Sequence, residues 1–200
     1  LAQSGKHAEA LAAFSNLAVR AGSDLQKSDA LEQAVLRAGI LRQYDLALEL
    51  ARQIPLPAVA RQCRMRILND TNKERELIAE FQDEAIDQWP ESAVGAGSLH
   101  RGRAHYRLKN GKAAEADLRR ATAYLGEATE RAAAWLALGD NYRDNLNDES
   151  QALAAYRKTQ ETLRGGWGYI NLTALVSQCG ILNRQGRQAE ALAALAQVDL

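Results

Sequence analysis

Apolar side chains recur along this chain at intervals of three and four, in long stretches broken by short polar or glycine-containing segments. That spacing places one apolar stripe on each helix and predicts an all-α fold. The breaks group the helices into consecutive pairs. A first helix cut short at 1–3 is followed by a partner over 7–20. Further pairs are 24–41 with 44–53, 57–68 with a partner ending near 88, and 92–109 with 112–125. The last two are 127–145 with 149–163, and 171–184 with 187–198. Gly5-Lys6-His7, Asn110-Gly111 and Gln185-Gly186 read as turns within pairs. Asn69-Asp70-Thr71-Asn72 reads as a turn that also supplies an N-cap. Pro57 suits the first turn of its helix, and Trp89-Pro90 closes that pair.

The pairs repeat. An alanine, a larger residue four positions on and a packing residue three beyond that occur at Ala114/Leu118/Ala121, Ala152/Tyr156/Thr159 and Ala191/Leu195/Val198. The same pattern occurs at Ala10/Phe14/Leu17 and Ala47/Ala51/Ile54, and more weakly at Ala79/Asp83/Ile86. Successive key alanines lie 37, 32, 35, 38 and 39 residues apart. Upstream of Ala152, Trp135, Leu138, Gly139 and Tyr142 form W-x2-L-G-x2-Y.

These residues resemble the tetratricopeptide repeat, whose period is about 34 residues. The resemblance covers nearly the whole chain. It implies one domain over 1–200: a right-handed superhelical solenoid of antiparallel helix pairs, with five to six repeats and truncated terminal ones. It also implies that Gly139 sits where a larger side chain would clash with the second helix of its pair. Gly5-Lys6-His7 near one end and a last helix without a polar cap at the other suggest a fragment of a longer protein, and the alanine- and arginine-rich usage suggests a bacterial one.

The family uses its first helices to line a concave face that holds peptides or partner helices. Carried over on Gly102 and Gly139, that face comprises Leu99, His100, Arg103, Tyr106 and Arg107, then Leu136, Asp140, Arg143 and Asp144. The less regular last repeat adds Val176, Ser177, Asn183 and Arg184. His100, Arg103, Tyr106, Arg107 and Arg143 form a candidate recognition patch, since guanidinium forks bind carboxylates bidentately and tyrosine adds a stacking face. The alternative is an ordinary charged helix face, with Arg107 and Arg143 paired to nearby carboxylates. Asp140 stands where a carboxylate clamp would have a neutral amide, so that clamp is not assigned.

Charge and chemistry narrow the function. Lys plus Arg and Asp plus Glu are equal at 25 each, and the net charge is zero. A phosphate-binding surface usually leaves a basic excess, so no nucleic-acid partner is expected and an RNA-reading repeat ranks low. No apolar run reaches membrane-spanning length, and no direct membrane insertion is expected. No phosphate loop, nucleophile elbow or zinc motif is present, so neither a cofactor nor catalysis within these residues is expected. His100 and His105 are five apart, a poor spacing for one metal on a helix face. Asp144, Asp148 and Glu149 lack calcium-loop spacing and read as capping and solvated groups. Cys63 and Cys179 read as small buried hydrophobes.

The expected function is a protein-interaction scaffold for a peptide or protein partner. The alternative is a regulatory or substrate-recruiting segment of a larger enzyme. Self-association through the terminal repeats stays open, as does localisation, with the cytoplasm favoured over the periplasm. Gly165-Gly166-Trp167-Gly168 is either a hinge or, by preference, a long connection whose gap Trp167 fills.

Overall fold

The computed structural model describes residues 2–164 and 168–196, with side chains from residue 5 onward. Gly165, Gly166 and Trp167, on which the hinge reading rests, lie outside the described residues, as does Val198. The fold is all-α, with eleven α-helices and no strand among the described residues. In chain order they are α1 (Ala2–Arg20), α2 (Asp24–Ile40), α3 (Tyr44–Arg52), α4 (Pro57–Asp70), α5 (Glu74–Phe81) and α6 (Glu91–Arg107). They continue with α7 (Gly111–Tyr124), α8 (Ala128–Asp144), α9 (Glu149–Thr162), α10 (Tyr169–Arg184) and α11 (Gln188–Leu195). A 3₁₀ turn, Ile86–Gln88, precedes α6. The chain divides into two compact units, Leu1–Ala93 and Val94–Leu200.

Each helix pair is joined by a turn containing one left-handed residue: Arg42, Asn72, Lys109, Asn147 and Gly186. Four of the five turns close the same way. The left-handed N–H donates to the carbonyl three residues back, and the next N–H donates to the carbonyl five residues back, as in Lys109 to Tyr106 and Asn110 to His105. This Schellman closure satisfies carbonyls that a helix C-terminus would otherwise leave unpaired. Five residues after each left-handed residue stands a buried side chain of the second helix: Ala47, Leu77, Ala114, Ala152 and Ala191. The spacing between these anchors equals the spacing between turns, 30, 37, 38 and 39 residues.

That register corrects several expectations. The second of these anchors is Leu77, followed by Phe81; Ala79 and Asp83 are not part of the core, and Asp83 is exposed. The partner of α4 does not run to residue 88: α5 ends at Phe81, and the 3₁₀ turn then buries Ile86. Gly5-Lys6-His7 makes no turn. It lies inside α1, where a single glycine costs about 1 kcal/mol of helix propensity without forcing a break. The phase counted from that supposed turn is therefore wrong, and α1 buries Leu11 and Ala18 while Leu17 is 55 % exposed. Gly111 is a buried helix residue, and the left-handed turn position is Lys109. The Asn69–Asn72 cluster supplies the turn through Asn72, but no side chain caps α5.

In the first unit, α2 enters behind Ser23, whose Oγ accepts the Gln26 N–H at 3.2 Å, while Gln26 Oε1 accepts the Gly22 N–H. Its buried face, Ala30, Leu31, Ala34, Val35 and Ala38, meets Ala47, Leu50, Ala51 and Ile54 around α3, together with Cys63 and Ile67 of α4. Pro57 occupies the first turn of α4 as expected. Cys63 is a buried free thiol that burial, with Glu32 nearby, pushes up to about 12.

In the second unit, Gly102 and Gly139 allow close helix contact. A Cβ at Gly102 would stand 2.8 Å from Leu118 Cγ of α7, and one at Gly139 would stand 2.6 Å from the Tyr156 ring of α9. Leu138 and Tyr142 are buried and Trp135 packs partly against the same core. Two amides at the C-terminal end of α8 fasten it to the preceding pair: Asn141 donates to the Gly111 carbonyl at 2.9 Å and Asn145 to the Tyr106 carbonyl at 3.0 Å.

Candidate functional site

Three first helices of the second unit, α6, α8 and α10, are tied together by a polar relay. Tyr106 of α6 donates its hydroxyl to Asp144 Oδ2 of α8 at 2.8 Å. Arg143 clasps the same carboxylate, with Nε to Oδ1 at 2.6 Å and Nη2 to Oδ2 at 2.9 Å. Its Nη2 also lies 3.2 Å from Asp140 Oδ1. Its Nη1 donates to Tyr156 Oη at 2.9 Å and to Ser177 Oγ of α10 at 3.0 Å. The Tyr156 hydroxyl then donates to Asp140 Oδ1 at 2.8 Å.

The charges within the relay differ in environment. The hydrogen bonds from Arg143 hold the Asp144 carboxyl below its ordinary range. Burial pushes Asp140 the other way, although Tyr156 and Arg143 oppose it. The hydrogen bonds to Asp144 strengthen the charged form of Arg143. Every nitrogen of that guanidinium thus already faces a protein acceptor. Arg143 follows the paired reading and acts as a tie between helices, so a ligand carboxylate would have to displace Asp144 to gain its fork.

Of the residues expected from the sequence, the structure brings together Tyr106, Asp140 and Arg143, with Asp144 and Ser177 beside them. His100 and Arg103 are half-buried on α6, Arg107 is exposed at its end, and none of the three is without a partner. Asn183 and Arg184 are exposed at the end of α10. Arg184 is tied to the first residue of α9, donating Nη2 to Glu149 Oε1 at 2.8 Å. Asp148 caps α9, its Oδ1 accepting the Gln151 N–H at 3.0 Å.

Compared with models of known protein families and with curated proteins, the chain matches none.

Two features escaped the sequence. Tyr156 reads as a core residue from its place four after Ala152, yet its hydroxyl emerges beyond the packed ring to join Arg143 and Asp140. A second tyrosine behaves alike: Tyr142 Oη accepts from Arg119 Nη2 at 2.6 Å and donates to Glu115 Oε1 at 2.9 Å. Both tyrosines are amphipathic, with a buried ring and a polar tip. The other feature is an apolar stripe on α10. Tyr169, Leu172 and Val176 follow i, i+3, i+7 spacing, and Tyr169 is 82 % and Val176 69 % exposed. Val176 adjoins Ser177, so this stripe flanks the relay. That spacing was legible, but only the structure shows the stripe uncovered.

Among the described residues no group of three or more His, Cys, Asp or Glu is arranged to hold a metal ion, and no helix is long and apolar enough to cross a membrane.

Proposed function

We propose that this chain is a protein-interaction scaffold of the tetratricopeptide type, each unit being a section of a right-handed superhelical array, and that it has no catalytic role of its own. The peptide or partner protein would lie across α6, α8 and α10. One observation carries this reading: the relay from Tyr106 through Asp144 and Arg143 to Ser177 fixes three successive first helices to one another. Helices held in this way present side chains at little further cost in ordering, which favours binding an extended partner. Leu172 and Val176 offer apolar contact beside the relay, while His100, Arg103 and Arg107 supply polar contacts.

The test compares capture of partners by the wild-type chain, by Arg103→Glu/Arg107→Glu, and by Arg187→Glu as a charge-reversal control away from this face. A partner held by the wild type and the control, but lost with the double reversal, supports the reading. Retention of every specific partner by the double variant refutes it.

A further inference from the structure

In the first unit a cavity of about 280 Å³ lies between α3, α4 and α5. Its apolar walls are Leu48 and Ala51 of α3, Ala60 of α4 and Phe81 of α5. The second unit fills the equivalent space. Counted from the anchors, Ala51 corresponds to Leu118 and Phe81 to Tyr156. Counted back from the carbonyls that close the two turns, those of Leu68 and Tyr142, Arg61 corresponds to Trp135. Trp135 packs against the core that holds Leu118 and Tyr156. The first unit has alanine in place of Leu118 and a charged side chain in place of Trp135, and a cavity results.

The same register sets a cation at its edge. Arg119 of α7 donates to Tyr142 Oη at 2.6 Å and to Glu115 Oε1 at 3.2 Å. Its counterpart in α3 is Arg52, which lines the cavity. The positions of Tyr142 and Glu115 are held there by Leu68 and Leu48, and the Arg52 guanidinium has no partner among the described residues. The two carboxylates of the lining are matched. Glu80 accepts from Arg64 Nε at 2.6 and 2.8 Å, and Glu84 lies 3.5 Å from Arg61 Nε. Arg52 is therefore the surplus charge beside an apolar recess, and its fork suits a carboxylate.

We propose that this cavity binds a small aromatic carboxylate, its ring against Ala51 and Phe81 and its carboxylate on Arg52. Ligand pockets begin at about 300 Å³, so the body is no larger than one aromatic side chain, the group that Trp135 supplies in the second unit. A free acid or the C-terminal residue of a peptide offers this chemistry. The site lies in the first unit and does not depend on the relay.

The test titrates the whole chain with indole-3-propionate by isothermal calorimetry. Two further arms use a tetrapeptide, Ser-Gly-Ser-Trp, with a free C-terminal carboxylate and with an amidated one. The expected result is saturable one-to-one binding of indole-3-propionate, of the free-carboxylate peptide, or of both. Binding of the acid alone assigns a small-molecule site, and binding of the peptide that amidation abolishes assigns a chain end. Arg52→Gln should weaken either at least about tenfold, and tryptamine, which carries a cation in place of the carboxylate, should not compete. Ala51→Leu, which restores the bulk of Leu118, should abolish binding. Arg119→Gln, the counterpart change in the second unit, should leave it unaltered. Circular dichroism checks that each variant is folded; Arg52 is exposed, so its variant keeps the test decisive if Ala51→Leu does not fold. Absence of binding by both probes, or binding undiminished by Arg52→Gln, overturns the proposal.

Discussion

Gly139 of α8 lies so close to the Tyr156 ring of α9 that a Cβ on it would stand 2.6 Å from Cε1 and 2.8 Å from Cδ1. No real side chain tolerates that approach, so α8 and α9 would have to separate. The ring cannot simply turn away, because its hydroxyl is held by Arg143 and Asp140. Gly139→Ala is therefore expected to destabilise the chain by about 1–3 kcal/mol, despite the gain in helix propensity. Gly5 is the contrasting case: it too is helical, but apart from its chain neighbours and its own helix backbone nothing lies within 4 Å of a Cβ placed there. Gly5→Ala should stabilise by up to about 1 kcal/mol. Urea denaturation of the two variants should give shifts of opposite sign.

The turns offer a second pair of opposite outcomes. Arg42 has φ 58° and Gly186 φ 73°, and both close a helix in the same Schellman geometry. A left-handed backbone costs a non-glycine residue roughly 1–2 kcal/mol. Arg42→Gly should raise the stability of the first unit by part of that amount, and Gly186→Ala should lower the stability of the second by about 1 kcal/mol. Thermal melts of the variants check both. A gain from Gly186→Ala would mean that the turn does not need its left-handed residue.

Residue patterns made most helices legible, because apolar periodicity reports which face is buried whatever the surrounding topology. The close approach at Gly139 was anticipated by the resemblance of W-x2-L-G-x2-Y to the tetratricopeptide repeat, and the structure has it. The turns were less legible. Arg42 and Lys109 carry no turn signature; the closing hydrogen bonds impose their left-handed conformation. Conversely, Gly5 and Gly111 carry the signature and lie inside helices. Around Leu77 the register slipped by two, because alanine at 79 imitated an anchor that leucine at 77 provides. Among the site residues expected from the sequence, Tyr106, Asp140 and Arg143 share one polar relay. The sequence did not reveal how fully Arg143 is engaged, because that depends on a hydroxyl from α9 and another from α10.

His105 gives the second unit a pH dependence of stability. It is half-buried, and its Nδ1 is buried without a hydrogen-bond partner. Burial lowers its pKa from 6.5; Asp117 opposes this and Arg101 adds to it. Because the folded value is depressed, the unfolded chain takes up the proton first as pH falls. Stability is then lost progressively below about pH 6.5. His105→Gln should flatten the dependence between about pH 7.5 and 5.5. The check is the urea midpoint measured across that range for both proteins; equal slopes would show that other groups govern it.

Asp117 of α7 carries the last prediction. It is buried and accepts from Arg101 of α6 through two parallel bonds, Nε to Oδ2 at 2.7 Å and Nη2 to Oδ1 at 2.8 Å. Arg120 donates to the same carboxylate at 2.9 Å. Such a pair adds little over a well-packed apolar substitute, since removing both charges from water offsets their attraction. Losing one partner is different, because the other charge stays buried without its counterion. Asp117→Ala should therefore cost about 3–5 kcal/mol, while the double change Arg101→Met/Asp117→Leu should recover most of the loss. A double-mutant cycle in urea measures the coupling. If the double variant is as unstable as Asp117→Ala, the packing between α6 and α7 depends on the ions themselves and not merely on filling the space they occupy.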